Sequence, residues 1–582
     1  MKRTPYSFIA LAALALPLAA QDADPPARVA RLNLITGSVS FRPGSVEEWA
    51  EATLNYPLTT GDHLWADRDG RTEMHVGSTA VRMGAETALA FLNLDDRAVQ
   101  LSLTQGSLNI RLRELRDDET FEVDTPNTAV TLLRAGDYRI DADGNTSVTT
   151  VTVRAGDVQV TGGGAAFTVH ERESARMTGM DQVSQEMAPV PPPDEFDAWA
   201  LARDRREDQL VQSARYVPRD MIGYEDLDEN GVWNEVPDYG WVWRPRVVVA
   251  DWAPYRFGHW AWVEPWGWTW IDDAPWGFAP FHYGRWAMVA GGWVWVPGRM
   301  VVGVRPVYAP ALVAFVGGSG FAAGVSAWFP LGPREAYIPA YHVSEVYVRQ
   351  VNFTHVTVID RVNVRYMNQT APGAVTAVSR ETFVGARPVG RATVVLDARV
   401  VAQARVVGMA APIPPERASV IAHVGPPVAA PPARFVERTV VVRNAPPPPP
   451  VSFAARQQAL AANGGRPLEP AQVERLRATA PARSPMVRQA GAAAAPPAMT
   501  PHNDRPFQGN PNRPAAPVAR EGRPGFEHGD MQRPAVREER PAVRDERPAP
   551  REERQAIREE RRDERKAPPK KGEKEKKEEK KQ

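Results

Sequence analysis

Tryptophan is concentrated in one short part of this 582-residue chain. Of its 17 tryptophans, thirteen lie between Trp233 and Trp295. Each indole ring brings about 150–250 Å² of largely apolar surface that is stabilising only when it is covered. A stretch this dense in tryptophan therefore forms either a packed aromatic core or a surface on which flat ligands stack.

The tryptophan stretch is internally repeated. A Gly-x-Trp sequence begins three units, at Gly231, Gly258 and Gly284, and a Gly-Trp-x-Trp sequence begins the second half of each unit. Trp260 and Trp262 in the middle unit are two residues apart, as are the two tryptophans of every second half. This spacing is typical of β-strands and not of helices. The repeat predicts three β-hairpins.

The middle hairpin supplies the candidate ligand-binding residues. Trp260 and Trp262 precede the turn, and Trp268 and Trp270 follow it. A three-residue loop would place all four rings on one face, whereas a two-residue loop would divide them between the faces. Exposed on one face, the rings would stack on sugars. The competing interpretation is that they are core, because tryptophan is highly buried on average.

Residues 1–20 have the features of a secretory signal peptide. Lys2 and Arg3 are followed by an apolar run from Phe8 and by the small pair Ala19-Ala20. The apolar run is too short to span a bilayer. The sequence predicts an exported chain with no transmembrane segment after cleavage.

Composition excludes several kinds of site. The chain has no cysteine, so disulfides, thiolate metal sites, thiol nucleophiles and a lipid-modified cysteine are all excluded. Its 70 basic residues are balanced by 70 acidic residues. This balance gives no indication of nucleic acid as a partner.

Residues 28–180 predict a β domain, because short alternating runs are separated by Gly, Asp and Asn turns. Its motifs resemble those of the exported domain of the FecR family: Gly37-Ser-Val39, Trp49, Gly61-Asp-His-Leu64, Val76-Gly-Ser78, Thr125-Pro126 and Gly156-Asp-Val158. The resemblance implies a sensor-like β fold. The regulators of that family carry a cytoplasmic anti-sigma segment and a membrane helix before this domain, whereas this chain has a signal peptide. Sigma-factor regulation is therefore not implied.

A linking segment is expected at 188–215. The proline-rich run 188–193 predicts a stiff linker. Asp194 then suits the N-cap of a helix that continues to about Ser213. The charged run 203–208 is expected to lie on a solvated face of this helix.

Residues 216–388 predict a second, tryptophan-rich β domain. They resemble the domain of unknown function that follows FecR-like domains in exported bacterial proteins. The resemblance rests on these motifs: Gly267-Trp-Thr-Trp270, Ala274-Pro-Trp-Gly277, Pro280-Phe-His-Tyr-Gly-Arg-Trp286 and Pro330-Leu-Gly-Pro333. It implies a domain arrangement and an exported location, but no activity.

The last part of the chain, 400–582, has a different composition. It has no tryptophan or tyrosine after residue 400, and it contains the run Pro446–Pro450 and many Ala-Pro pairs. Such a composition offers little apolar surface to offset chain entropy of about 1–2 kcal/mol per residue. The sequence predicts a long disordered tail.

Some polar patterns near the hairpins are candidates for chemistry. Asp226-x-Asp228-x-Asn230-Gly231 fits the first half of a calcium loop, but Pro237 stands where a bidentate Glu is required. A polar turn is the simpler interpretation. His259 and His282 occupy similar repeat positions among aromatic residues, where packing is expected rather than zinc binding.

Three carboxylates suggest a glycoside hydrolase. Glu264, Asp272 and Asp273 border the tryptophans, as an acid and a nucleophile would border stacking rings. Adjacent strand residues point to opposite faces, however, so Asp272 and Asp273 are poor partners in one catalytic pair. Solvated turn residues are the better interpretation, and no catalytic residue, metal site or cofactor is predicted.

The sequence therefore predicts a mainly β, non-enzymatic protein of the cell envelope. We expect a FecR-like β domain, a short linking helix, a tryptophan-rich hairpin domain and a long disordered tail. The expected location is the periplasm or cell surface of a Gram-negative-type bacterium, and the expected partner is an envelope glycan, such as peptidoglycan, or another envelope protein. The alternatives are a glycan-active hydrolase, a self-assembling scaffold and an envelope signal-sensing protein.

Overall fold

The computed structural model describes residues 24–209, 212–301, 303–318, 324–355, 365–422, 428, 430–481 and 484–490. The predicted signal peptide and residues 491–582 of the predicted tail lie outside the described residues. The predicted fold class is confirmed, since strands outnumber helices and a short helix links two β regions. No helix in the described ranges is long and apolar enough to cross a membrane.

The first β domain is built from short strands joined by tight turns. Its strands are β1 Ala30–Thr36, β2 Val39–Arg42, β3 Ala50–Glu51, β4 Pro57–Leu58, β5 His63–Ala66, β6 Arg71–Val76, β7 Thr79–Met83, β8 Thr87–Leu94, β9 Ala98–Leu112, β10 Thr120–Asp124, β11 Ala129–Leu132, β12 Gly136–Asp143, β13 Val148–Ala155, β14 Val158–Gly162, β15 Ala165–Val169, β16 Glu173–Thr178 and β17 Ser184–Pro189.

Two sheets of this domain share the long strand β9. Its first half pairs with β8 and β10, and its second half pairs with β12 and β7. The change occurs at Gly106, whose φ is +92° and where a Cβ atom would lie 2.2 Å from Thr87 Oγ1. Only glycine fits this bend. Leu101 and Leu103 before it, and Leu108 and Ile110 after it, are all 0% exposed, so one strand contributes to the core from both sheets.

The linking helix, α1, spans Glu195–Gln209. Asp194 caps it, because Asp194 Oδ1 accepts the main-chain N–H of Asp197 at 2.9 Å. The helix was predicted to begin here, and its start agrees with the sequence pattern.

The second β domain contains the three predicted hairpins. They are β18 Gly231–Val236 with β19 Gly240–Pro245, β20 Gly258–Val263 with β21 Gly267–Asp272, and β22 Arg285–Val289 with β23 Gly292–Val296. In the middle hairpin Val263 pairs with Gly267, which leaves a three-residue loop. Trp260 lies opposite Trp270, and Trp262 lies opposite Trp268, so the four rings share one face.

Further strands and short helices complete this domain and the segment that follows it. The strands are β24 Val313–Gly317, β25 Val325–Pro330, β26 Thr376–Ser379, β27 Arg405–Gly408, β28 Val440–Val442 and β29 Val487–Gln489. The helices are α2 Leu227–Asn230, α3 Ala279–His282, α4 Glu345–Asn352, α5 Arg380–Val384, α6 Ala398–Gln403, α7 Arg417–Ile421, α8 Ala433–Val436, α9 Phe453–Ala462 and α10 Pro470–Thr479, with 3-10 turns at Ser213–Arg215, Tyr224–Asp226 and Met367–Thr370.

The prediction of disorder from residue 400 onward is wrong for the described part of that segment. Strand β27 pairs with β24 and completes a four-stranded sheet of the tryptophan-rich domain. Farther along, Val442 and Leu460 are 0% and 1% exposed. The few apolar residues of this segment are buried against the two β domains, which a composition argument about an isolated chain does not consider.

Candidate functional site

The four tryptophans predicted to bind a ligand lie in the core. Trp260, Trp262, Trp268 and Trp270 are 1%, 2%, 3% and 0% exposed. The ring of Trp260 packs against four other rings with centroids 5.3 to 5.5 Å away, those of Trp270, Phe315, Trp328 and Phe383. The platform predicted from the sequence therefore has no open face. The rings share one face, as a three-residue loop requires, but that face is covered by the rest of the domain.

The carboxylates beside the tryptophans have structural partners. Asp272 is 2% exposed, and its carboxylate accepts the indole N–H of Trp270 and the main-chain N–H of Ala274, both at 3.0 Å. Burial raises the pKa of Asp272 well above its usual value. Glu264 accepts the indole N–H of Trp262 at 2.7 Å and pairs with Arg456 at 2.6 Å. The prediction that these carboxylates are solvated is wrong for Asp272. Asp273 is exposed, as predicted.

The half calcium loop forms a short helix held by protein contacts. Asp226 pairs with Arg31 at 2.6 Å, and Asp228 accepts the main-chain N–H of Ser213 at 2.8 Å. His282 is a packing histidine, since its Nδ1 lies 2.8 Å from the Ala309 carbonyl and burial lowers its pKa to about 3. His259 is buried as well.

A buried charge network joins the two β domains and was not predicted. Its members are charged side chains from β1, β6, β7, helix α1 and the 3-10 turn before α2: Arg31, Glu73, His75, Arg82, Arg203, Asp204, Glu207, Glu225 and Asp226. Glu73 is 0% exposed and binds Arg82 and Arg203, each at 2.6 Å. Of the helix residues predicted to be solvated, Asp204 and Glu207 are buried and meet charges of opposite sign, whereas Arg205 and Asp208 are exposed as predicted.

Arg31 connects the first strand to the tryptophan-rich domain. In addition to Asp226, its guanidinium donates to the Pro275 carbonyl at 2.6 Å and to Asn55 at 3.0 Å. The Asn55 amide in turn donates to the main-chain carbonyls of Asp272 and Ala274 at 2.8 and 2.7 Å. Because each buried polar group here has a partner on the other domain, the interface is specific in geometry.

His75 lies at the centre of the network with a carboxylate at each ring nitrogen. Nδ1 is 2.5 Å from Glu225, and Nε2 is 3.3 Å from Glu207. Burial alone would lower the pKa of His75, but Glu225 and Glu207 more than offset burial and raise the pKa to about 10. The same contact holds the pKa of Glu225 below its usual value despite burial. His75 is therefore an imidazolium that joins β6, α1 and the second domain.

Three of these residues also have the geometry of metal ligands. Ligand atoms of Glu73, His75 and Glu207 lie within 4.8 Å of one another. Both glutamates are already bound by arginines, Glu73 by Arg82 and Arg203 and Glu207 by Arg113 at 3.1 Å. A cation there would have to compete with guanidinium groups fixed in the fold, so the geometry favours an ion-pair network.

A second region of interest is the outer face of the first domain, where residues 437–453 cross the sheet. We call this segment the strap. Beneath it, Gln100, Glu122, Thr131 and Gln159 lie side by side on four neighbouring strands, β9, β10, β11 and β14. Residues opposite each other in adjacent strands project from the same face, so they form one polar row across the sheet.

The strap is bound to the polar row through its main chain and through the side chains of Asn444 and Arg443, whose guanidinium donates to Gln159 at 2.6 Å. Glu122 accepts the main-chain N–H of Arg443 at 2.9 Å and the side-chain amide of Asn444 at 3.0 Å. Gln100 donates to the Asn444 carbonyl at 2.9 Å. The Val441 N–H donates to the Thr125 carbonyl at 2.8 Å.

A cavity of about 440 Å³ lies beside the strap. Its walls come from β5 and β8, from Trp49 and His63, and from Arg438 and Pro447 of the strap. Protein interiors are otherwise close-packed. The strap therefore covers this face without filling the space next to it.

The sequence contains only weak indications of the buried charge network and of the covered polar row. Asp197, Asp204 and Glu207 fall on one face of α1 with Ala200, and all four are buried. In the sequence the residues of the polar row alternate with core residues such as Leu101 and Val123. This alternation predicts that the polar residues face solvent. Nothing local indicates that a segment 300 residues later covers it.

Comparison with protein families agrees with the order of domains expected from the motifs. Residues 62–159 match the family described as FecR protein, and residues 224–335 match a family of unknown function, DUF6600. No curated protein matches the chain.

Two solved structures give matches to part of the chain. Both are crystal structures of a candidate anti-sigma factor from Parabacteroides distasonis ATCC 8503, with 13% and 12% sequence identity and a TM-score of 0.20 in each case. Each match covers 22% of this chain and 59% of the other, so the similarity spans less than two thirds of those proteins. The chain thus carries a FecR region followed by a DUF6600 region, which is the arrangement that its motifs predict.

Proposed function

We propose that this protein is a non-enzymatic binding or sensing module of the cell envelope. The observation that carries the proposal is the placement of the acidic side chains beside the tryptophan hairpins. Asp272 is held inside the core by Trp270, and Glu264 is paired with Arg456. A glycoside hydrolase needs two carboxyl groups facing one cleft, with one of them free to give up its proton. The FecR match supports an envelope location.

The enzymatic alternative is tested by incubating the purified chain with peptidoglycan and measuring new reducing ends. We expect no turnover, and the same result for Glu264→Gln and Asp272→Asn. Turnover by the wild-type chain that either substitution abolishes would contradict the proposal.

Export is tested by fractionation of a Gram-negative host that expresses the full chain or a variant lacking residues 2–20. The full chain is expected in the periplasmic or surface fraction, and the variant in the cytoplasm. Retention of both in the cytoplasm would refute an envelope role.

Glycan contact is a second candidate function, favoured by a different tryptophan. Trp241 is 42% exposed, and its ring stacks on Tyr216 with centroids 4.5 Å apart. An exposed indole stacked on a half-buried ring suits the flat face of a sugar. A peptidoglycan pull-down should retain the wild-type chain and lose Trp241→Ala. Equal retention of the two proteins would rule out this contact.

A further inference from the structure

The polar row beneath the strap has the chemistry of a peptide-binding surface. Glu122 accepts the Arg443 N–H and the Asn444 side chain, while Gln100 donates to the Asn444 carbonyl. Donors and acceptors aimed at main-chain groups are how proteins read an extended segment, with a few side chains providing specificity. Here Asn444 and the three valines of β28 provide that specificity.

The strap is held on this surface by these hydrogen bonds and by the buried valines of β28, Val440–Val442, and β28 also pairs with β29. The row it covers is polar, although Glu122 and Gln100 are only 1% and 5% exposed once covered. One buried atom under it, Thr131 Oγ1, has no hydrogen-bond partner among the described residues. A buried polar atom left unpaired lowers stability. The surface therefore offers a bond that the strap does not use.

Packing beside the strap agrees with this description. The cavity of about 440 Å³ is bounded by Arg438 and Pro447 of the strap on one side and by the sheet on the other. The adjoining space leaves room for a longer or bulkier occupant of the same surface.

We propose that the polar row is a peptide-recognition site, occupied in this chain by its own strap, and that an extended segment of an envelope partner protein binds there in exchange. The recognised segment has three or more β-branched residues, then a basic residue and an asparagine, then prolines. This order follows from Val440–Arg443, Asn444 and the run Pro446–Pro450. The proline run keeps the segment extended and lowers the entropy lost on binding.

This inference names a partner class for the proposed envelope module and rests on it. The test uses the purified full chain, so peptide binding can fail while the export and turnover experiments still support an envelope module.

The probe is a fluorescent synthetic peptide of residues 437–450. The full chain is prepared as wild type and as a strap-weakened variant, Asn444→Ala with Val441→Asp. We expect the peptide to bind the strap-weakened variant at least tenfold more tightly than the wild type, because the attached strap no longer competes. Adding Glu122→Gln should weaken that binding at least tenfold, whereas Glu186→Gln, on the exposed strand β17, should leave it unchanged. A peptide carrying Asn444→Ala should bind weakly to all proteins.

Near-ultraviolet circular dichroism of the tryptophans verifies that each variant is folded. If Val441→Asp prevents folding, Asn444→Ala alone is expected to give at least a threefold gain in peptide affinity. A folded strap-weakened protein that binds the peptide no better than the wild type would overturn the proposal. A wild-type dimer in light scattering that is lost with Glu122→Gln would make a second copy the occupant, and would overturn the assignment to a partner protein.

Discussion

The two β domains of this chain are stabilised by different kinds of core. The FecR-like domain has long ladders and an aliphatic interior, with residues such as Leu101, Val123 and Val151 at 0% exposure. The tryptophan-rich domain has short hairpins joined by irregular segments, and its largest fully buried side chains are indoles such as Trp243 and Trp270. Irregular segments leave main-chain carbonyl groups unpaired by a ladder, and these groups need donors.

The indole N–H groups supply those donors. Five tryptophans donate at 2.8 to 3.0 Å to carbonyls of irregular segments or short helices: Trp243 to Leu227, Trp268 to Ile413, Trp286 to Pro280, Trp295 to Tyr283 and Trp328 to Tyr255. A leucine or phenylalanine core could fill the same space but would leave the carbonyls unpaired. Tryptophan therefore serves in this domain both as an apolar core residue and as a hydrogen-bond donor.

Truncating one core residue in each domain tests this difference most strongly. Trp270→Ala and Ile140→Ala both remove a side chain that is 0% exposed. We expect a loss of about 3–5 kcal/mol for the tryptophan and toward the lower end of about 2–5 kcal/mol for the isoleucine. The free energy of unfolding in urea, followed by circular dichroism, measures both. A smaller loss for Trp270→Ala would contradict the idea that indoles dominate the second core.

Buried ion pairs are expected to stabilise the FecR-like domain, whereas buried indoles are expected to stabilise the second domain. Arg82→Met removes the guanidinium that lies 2.6 Å from Glu73 and 3.0 Å from Asp204, and of its two arginines Glu73 keeps only Arg203. Removing one member of a buried ion pair costs about 3–5 kcal/mol. The matched control is Arg206→Met in α1, which breaks a more solvent-accessible pair with Glu229 of α2 and should cost less than about 1 kcal/mol. Equal losses would mean that the network contributes no more than a surface pair.

The charge network also predicts how stability depends on pH. Because the pKa of His75 is raised to about 10, its contribution is complete below the ordinary value near 6.5 and is lost as pH rises toward 10. The loss is at most about 1.4 kcal/mol per pH unit. Melting temperatures between pH 6.5 and 9.5 measure it, with His75→Gln as the control that should flatten the profile. A wild-type profile as flat as that of the control would argue against an imidazolium.

Replacing an indole with a phenyl ring, which removes the N–H and part of the ring, gives the smallest expected effect. Trp243→Phe retains an aromatic ring but leaves the Leu227 carbonyl without its donor at 2.9 Å. A buried group left unpaired costs about 1–3 kcal/mol. Trp241→Phe is the control, since Trp241 is 42% exposed, and it should change stability by less than about 0.5 kcal/mol. Indistinguishable unfolding midpoints for the two variants would show that the indole donors are dispensable.

Local patterns predicted the local structure. The spacing of Trp260 and Trp262 predicted strands, Asp194 predicted a helix start, and the motifs around Gly61 and Gly156 indicated the FecR region. Each of these depends on neighbours a few residues apart. The four hairpin rings are covered by residues distant in the sequence, including Phe315, Phe383 and Ile413. The spacing of residues within the hairpin does not predict these contacts.

The missed features all join distant parts of the chain. Glu73 meets Arg203 across 130 positions, and Glu122 meets Asn444 across 322. A charged helix face is usually solvated, so Asp204 and Glu207 had no local feature that distinguished them. The segment around β28 buries the valines Val440–Val442 and is hydrogen-bonded to a surface formed by residues much earlier in the sequence.

The contacts of Arg31 constrain the order in which parts of this protein can fold during synthesis. Its strand is among the first parts of the described chain to leave the ribosome, but its bonds to Asp226 and Pro275 join residues 195 and 244 positions later. Until those residues emerge, the one side-chain hydrogen bond of this guanidinium among the described residues is with Asn55. The hydrogen bonds of the buried arginine in the first strand are therefore completed only after the second domain has been synthesised.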